Sequence, residues 1–406
     1  MSKIFAIIGG GASGFMAAIT AAELKKADKI ILFEKGKTLL NKVKISGGGR
    51  CNVTHHVSSV EQLIEYYPRG KNFLKKAFYL FNNKDTMHWF ENRNVRLKVE
   101  KDNRVFPESN LSESVVQCLL KEALSNNVII KTEKYVTDVI PKNDKYTIVF
   151  RDKSEFESDA LMIATGGFQR IQDYSFLDKL KHNIISPIPS LFTFNMPNEN
   201  TELLMGISID NVVMKILGTN VISKGSILFT HWGMSGPAVL RASAFAAKLL
   251  HEKSYKFQIQ INWTPDLSLE DIENLILNAK TKTPNLSIKN WAELKLPKRF
   301  WLFILKKAKI EEHTLLINFS KPNLQKLLLQ LKSDIYTVSG KSTFKDEFVT
   351  CGGININEIF PTTMESKLHS NLFFGGEILD VDGITGGFNF QHAWTSGFLC
   401  GKNVFS

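Results

Sequence analysis

The sequence predicts an α/β fold: a parallel sheet drawn from both ends of the chain, with a β-rich insertion and a helical stretch between them. Three observations predict it. A short apolar strand, a glycine turn and an Ala-rich helix follow one another at the start. Glycine-ended strands return near the C-terminus. Between them the texture changes to prolines and alternating strands, and then to amphipathic helix.

Ile4-Phe5-Ala6-Ile7-Ile8 is an unbroken apolar run, the pattern of a strand buried on both faces. It enters Gly9-Gly10-Gly11-Ala12-Ser13-Gly14, which fits G-x-G-x-x-G, and then a helix over 15–24. A second strand over 29–33 ends in Glu34 and is followed by Lys35. The expected division of labour is physical. Gly9 makes the tight turn, Gly11 lets backbone N–H groups approach a pyrophosphate, and Gly14 lets helix pack on strand. Ala12 and Ser13 open the helix, whose N-terminus offers unpaired N–H groups and a positive dipole end. Glu34 can accept a hydrogen bond from an adenosine ribose. The motif predicts a dinucleotide and leaves NAD and FAD both open.

Next comes Lys42, then Ser46-Gly47-Gly48-Gly49-Arg50-Cys51-Asn52, read as a loop whose N–H groups form a cradle for an anion or a flat ring. Arg50 is placed to bind phosphate. Residues 56–100 have largely helical spacing, and a helix beginning near Ser112 takes that serine as its N-cap. Strands over 134–140 and 146–150 pair as a hairpin across Asn143-Asp144, with the backbone of Val136 expected near the adenine. Ala160 to Gly167 repeats the opening logic, a buried strand ending in Ala164-Thr165-Gly166-Gly167 at the expected ligand crevice.

From about residue 186, prolines and alternating strands predict a separate β domain. Within it, residues 229–237 read as a loop, with His231 a candidate to touch substrate or move a proton; the alternative is a structural histidine beside Trp232. Residues 266–334 read as amphipathic helix broken at Pro284, Pro297 and Pro322. The expected boundaries are 1–187 with 340–406 for the nucleotide domain, 188–265 with about 335–345 for the β domain, and 266–334 for the helical module.

The C-terminal strand ends in Gly375-Gly376-Glu377, and Gly386-Gly387-Phe388-Asn389-Phe390-Gln391 opens a final helix. Glu377 can accept bonds from ribitol hydroxyls, and the N–H groups near Gly386 can face an isoalloxazine edge. A second, distant stretch holding the cofactor's far half turns the expected dinucleotide into FAD. Cys51, beside that ring, is either a proton donor or a packed thiol.

Composition sets wider bounds. At 406 residues, with 43% hydrophobic and 22% charged, the chain has the balance of a globular protein of two or three domains. No apolar run approaches the ~20 residues that span a bilayer, and the first strand leaves no room for a leader. Four cysteines without C-x-x-C spacing argue against a metal site and suit a reducing, cytoplasmic setting. The net charge is +11. From Lys282 to Lys309, eight Lys or Arg stand against Glu293 alone, interleaved with Trp291, Phe300, Trp301 and Phe303. That interleaving suits a nucleic-acid surface; the alternative is a helical module with aromatics inside and lysines outside.

Taken together, these residues resemble the aminoacetone-oxidase-type, BaiN-like or YhiN-like FAD-binding flavoproteins. The resemblance rests on Gly9 to Gly14, the block from Ile45 to Val53, Arg104 to Pro107, Ala164 to Gly167, the run from Phe229 to Leu240, Thr363 to Leu368, and the run from Phe374 to Gly397. It implies a FAD-binding Rossmann-like domain built from both chain ends, a β-barrel-like domain inserted near residue 186, and a small helical module. The cofactor residues carried over are Gly9, Gly11, Ala12, Ser13, Gly14, Glu34, Lys35, Lys42, Gly47 to Asn52, Ala164 to Gly167, Gly376, Glu377, Gly386 to Asn389 and Gln391. Phe168 to Tyr174 depart from the glycine- and serine-rich stretch that similar sequences carry there, and Asn41 stands where a basic residue is common. The implied activity is an FAD-dependent oxidoreductase. No second G-x-G-x-x-G unit is found, so NAD(P)H would dock transiently at the flavin as reductant. The expected substrate is a uridine of large-subunit ribosomal RNA, reduced to dihydrouridine. A small-molecule amine or enone-type substrate is the alternative. A reading of another class is an RNA-binding protein that keeps FAD for structure.

Overall fold

The computed structural model describes residues 2–342 and 349–406. The chain divides into two compact units, Met1–Pro189 with Val349–Ser406 and Ser190–Phe348. The expected boundary at residues 340–345 falls partly on 343–348, outside the described residues.

In the first unit, among the described residues, five parallel strands lie in the order Leu372–Phe374, Ala160–Ile163, Ile4–Ile8, Lys29–Phe33, Ile129–Lys131. The opening strand is central, with Phe5, Ala6 and Ile7 fully buried. Chain order reverses on either side of it, so a crevice opens at the carboxyl ends of these strands. Gly9, Glu34, Ala164 and Gly375 each follow directly on one of those ends.

The first helix, Ala12–Glu23, and the last, Phe388–Asn403, pack on each other at glycine contacts. A Cβ on Gly397 would lie 2.4 Å from the Ser13 carbonyl oxygen, and one on Gly401 would lie 2.4 Å from that of Ala17. Spacing of four puts both glycines on one helix face, and the backbones approach where side chains would forbid it. This contact joins the two ends of the chain.

Most expected elements are found. The hairpin of Val136–Lys142 and Lys145–Phe150 turns at Asn143 and Asp144, both at positive φ as a tight hairpin requires. Three readings change. Lys42 to Ile45 belong to a helix, Asn41–Gly49, whose backbone breaks at Ser46 and turns left-handed at Gly47 and Gly48. Ser112 stands at the N-cap position, but its hydroxyl donates to the Lys44 carbonyl at 2.7 Å, so it ties two segments together rather than capping. The stretch 229–237 is a hairpin, not a loop: Ile222–Thr230 pairs with Gly233–Ser235, and a helix, Pro237–Glu252, follows.

In the second unit, among the described residues, seven strands form one antiparallel sheet. Its two edges are Asp334–Ser339 and Lys341–Ser342, consecutive pieces of chain separated by Gly340, so the sheet curls into a barrel-like form. Three helices, Leu269–Lys282, Lys298–Lys307 and Lys321–Lys332, share its core: Phe300, Ile304 and Leu327 are fully buried with Ile259 and Tyr336 of the strands. Pro322 falls in the first turn of its helix, where a missing N–H costs nothing, and so starts the helix instead of breaking it. Among the described residues no helix is long and apolar enough to cross a membrane.

Candidate flavin site

The glycines of the opening motif divide into packed and open. Gly9 has φ +120°, and a Cβ there would lie 2.2 Å from the Ala164 carbonyl oxygen. One on Gly14 would lie 2.1 Å from the Gly9 oxygen. Gly11 is different: an added Cβ meets no atom within 4 Å. Gly11 is also the N-cap of the first helix, which has no side-chain cap and no acid in its first turn. Ala12, Ser13 and Gly14 are buried behind it. An uncapped helix start beside open space is what an anionic pyrophosphate needs.

Glu34 is held rigidly. Its Oε2 accepts the Gly10 N–H and its Oε1 the Gly36 N–H, both at 2.8 Å. Each oxygen keeps a lone pair, so the carboxylate can still accept from a ribose hydroxyl. Lys35, exposed, lies with its ammonium 5.9 Å above the ring of Phe168. Phe168 itself packs edge-on against Tyr174, so the departure from glycine fills the space with aromatic side chain. Val136 begins its strand two residues past Lys134, whose N–H donates to the Glu34 carbonyl at 2.9 Å.

The second glycine block lies open. A Cβ on Gly48 or Gly49 would meet nothing within 4 Å, and one on Gly166 would meet only the Lys42 ammonium, at 4.0 Å. Gly47 instead packs against Phe106 and Asn52. Lys42 reaches Glu377, Nζ to Oε2 2.6 Å, which joins the N- and C-terminal blocks across one cleft. Thr165 and Gly167 flank Gly166 after the strand Ala160–Ile163, and Ala164 is buried at its end. Gly376 donates its N–H to Ser396 at 2.9 Å, with Ser13 beside it. Backbone without Cβ, one carboxylate, one ammonium and an uncapped helix start therefore converge, and they fit FAD extended along the carboxyl edge of the sheet.

Other expected residues have different surroundings. Arg50 pairs with Glu100 at 2.7 Å and stacks on Phe106 at 4.0 Å, so its charge is already compensated. Cys51 has φ +59° and is fully buried; burial pushes its thiol up to about 12, against a smaller lowering by the Ser46 hydroxyl. Asn52, with its amide oxygen towards Gly387, accepts that N–H at 3.1 Å and donates to the carbonyls of Thr54 and Val105. Gln391 is fully buried between Thr54 (2.6 Å) and Thr395 (3.0 Å). Asn389 holds both backbone groups of Gly383, at 2.8 and 2.9 Å. Phe388 is buried under a stack of Tyr66 and His55, and His55 lies 3.1 Å from the Gly386 carbonyl. Asn52, Gln391 and Asn389 thus shape the loop from Gly386, and its main chain is what remains to meet a ligand.

His231 stands on the other unit, exposed at the hairpin turn with its ring 3.9 Å from that of Trp232. In the basic stretch, Trp291, Phe300 and Trp301 are buried while Lys282, Lys295, Lys298, Arg299, Lys306 and Lys309 are exposed. Lys307 is engaged with the buried Asp334 at 2.6 Å. The same unit carries an open groove of about 610 Å³ lined by Leu203, Leu302 and Phe303, with Arg299, Lys306 and Lys309 beside Glu311 and Glu312. Sequence reading missed Thr350 and His392, each with a buried polar atom that has no partner among the described residues. A hydroxyl in a strand carries no signal until its neighbours are known.

Curated relatives align along almost the whole chain. A 3-dehydro-bile acid Δ(4,6)-reductase from Clostridium scindens is 25% identical over 404 residues, covering 98% of this chain and 97% of the relative. Ribosomal RNA dihydrouridine synthases are 27% identical in Haemophilus influenzae and 28% in Escherichia coli, each covering 98% of this chain and 97% of theirs. Among solved structures, the quinol fumarate reductase subunit of E. coli superposes with a TM-score of 0.50 at 14% identity, over 100% of this chain and 70% of that one. A 3-ketosteroid-Δ4-(5α)-dehydrogenase from Rhodococcus jostii gives 0.50 at 10% identity, over 99% and 97%. These two likenesses concern the fold. With residues 3–403 matching the HI0933-like protein Rossmann domain, the chain belongs to that family and is an FAD-dependent oxidoreductase.

Proposed function

We propose that this protein reduces a carbon–carbon double bond conjugated to a carbonyl, with NAD(P)H as reductant, and that its substrate is a uridine in ribosomal RNA. The observation that carries the redox part is the Lys42–Glu377 pair across open glycine backbone, which gives FAD a site formed by both chain ends. Bound FAD supplies two-electron transfer between a nicotinamide and the alkene. The chain's own residues hold it: the helix start at Gly11 and Ala12 for the pyrophosphate, Glu34 for the adenosine ribose, the backbone of Val136 beside the adenine, Glu377 for the ribityl chain. Gly166 and Gly167, with the main chain from Gly386 to Asn389, border the ring. With its thiol proton held up to about 12, Cys51 acts as a packed side chain in this account.

The relatives named above reduce a ribosomal uridine or a steroid-type acid, and both substrates carry an alkene conjugated to a carbonyl. The net charge of +11 and the exposed cations from Lys282 to Lys309 favour the polyanion. Because Trp291, Phe300 and Trp301 face inward, that surface would grip phosphate and sugar rather than stack bases. The groove, lined by Leu203, Leu302 and Phe303 with both cations and carboxylates, favours the second reading, a small amphipathic substrate.

The test is anaerobic reduction of the holoprotein by NADPH or NADH, followed by mixing with ribosomal RNA lacking dihydrouridine. Reoxidation of the flavin with dihydrouridine appearing by mass spectrometry is expected. Reoxidation by an enone acid and not by RNA would give the small-molecule reading instead. A flavin that neither nicotinamide reduces would leave the RNA-binding reading, with FAD kept for structure.

A further inference from the structure

Thr350 opens the strand Thr350–Ile354 and is 4% exposed. Its N–H donates to Glu377 Oε1 at 3.3 Å, yet its hydroxyl has no partner among the described residues. Burying a hydroxyl unpaired is costly, so such a group in a formed site points to a missing partner. Its surroundings say which side that partner comes from. A Cβ on Gly167 would lie 2.7 Å from Thr350 Oγ1 and 3.0 Å from Glu377 Cγ. The absent side chain at Gly167 is therefore what leaves the hydroxyl and the carboxylate side by side. Lys42, bonded to the other oxygen of Glu377, completes the group.

We infer that Lys42, Glu377 and Thr350 form a polyol-binding site, and that the Thr350 hydroxyl binds the ribityl chain of FAD. The chemistry of the three groups is complementary. An ammonium only donates, a carboxylate only accepts, and a hydroxyl does both. Successive hydroxyls of a polyol each donate and accept, so a donor, an acceptor and a group of either kind can satisfy neighbouring positions. Both Glu377 oxygens retain a lone pair beyond the bonds they already make. The inference rests on the reading that Glu377 faces the ribityl chain.

The test is FAD titration of the full-length apoprotein by flavin fluorescence quenching, with ADP titrated in parallel by calorimetry. ADP carries the adenosine and pyrophosphate but neither polyol nor ring. Thr350→Val is expected to raise the FAD dissociation constant about five- to tenfold, the loss of one hydrogen bond. Thr350→Ser should bind FAD as the wild type does, and all three proteins should bind ADP alike. Apo Thr350→Val should melt no lower than wild type, because a methyl replaces an unpaired hydroxyl. Unchanged FAD affinity in Thr350→Val, or an equal loss for FAD and ADP, overturns the inference. If the wild-type apoprotein takes up ADP but not FAD, the flavin reading itself fails, and the two failures are distinguishable.

Discussion

Glycines that look alike in the sequence do unlike things. At Gly14 a methyl group would lie 2.1 Å from the Gly9 carbonyl oxygen, against backbone that cannot yield. At Gly11 it would enter open space, and with φ −99° the backbone is one that alanine adopts. Gly14→Ala is therefore expected to destabilise by about 2–3 kcal/mol or to prevent folding. Gly11→Ala should change urea stability by less than about 1 kcal/mol while weakening FAD, because the methyl occupies the approach to the helix start. Equal stability losses in both would mean that the Gly11 side of the turn is not open. Part of this was legible beforehand, since G-x-G-x-x-G already assigns turn, approach and packing to its three positions. What Arg50 does was not. Its partner Glu100 is fifty positions away, and no local pattern distinguishes a phosphate-binding arginine from one stacked on Phe106 and already paired.

The terminal helix, Phe388–Asn403, shows why elements are easier to read than their contacts. Its start, marked by Gly386-Gly387, is plain in the sequence, and so is its length. Its packing on the first helix through Gly397 and Gly401 needs the partner's backbone to be seen. His392 on this helix is fully enclosed, and its Nε2–H donates to the Gly376 carbonyl at 3.1 Å. Burial lowers its pKa to about 4, so the folded protein keeps it neutral where the unfolded chain takes up a proton. A depressed folded pKa means stability that is complete above about 6.5 and is lost as pH falls towards 4. At pH 4.5 the loss from this group is about 2–3 kcal/mol. His55 and His182, also lowered chiefly by burial, act in the same direction. Urea midpoints should fall between pH 7 and 4.5 in the wild type, and fall less in His392→Asn. An equal fall in both would show that the imidazole protonates within the fold. The short strand Gly233–Ser235 escaped sequence reading for a different reason. Three residues between the His231-Trp232 turn and Gly236-Pro237 carry too little alternation to separate a hairpin from a loop.

For the chain as a whole, the parallel sheet could be read because most of its strands are short apolar runs, and Gly9, Glu34 and Gly375 each follow directly on a carboxyl end. The return of the C-terminal strand Leu372–Phe374 beside Ala160–Ile163 brings Glu377 to Lys42, more than three hundred residues away in sequence. The curled sheet of the second unit was foreshadowed by its prolines and alternation. Its closure through Gly340 and the core it shares with the helices depend on pairings that no window of sequence contains. The basic stretch shows the same limit: composition could not say whether Trp291 and Trp301 face RNA or a core, and the structure turns them inward.

In the proposed site one FAD is held jointly by the two ends of the chain, within the first unit. The most direct measurement is flavin content per chain, by absorbance after purification and gel filtration, in wild type, Glu377→Ala and His231→Ala. About one FAD per chain is expected in the wild type, with a clear loss of occupancy in Glu377→Ala and full occupancy in His231→Ala. Full flavin in purified Glu377→Ala would contradict this joint site, because the carboxylate from the C-terminal end would then have no part in holding the cofactor.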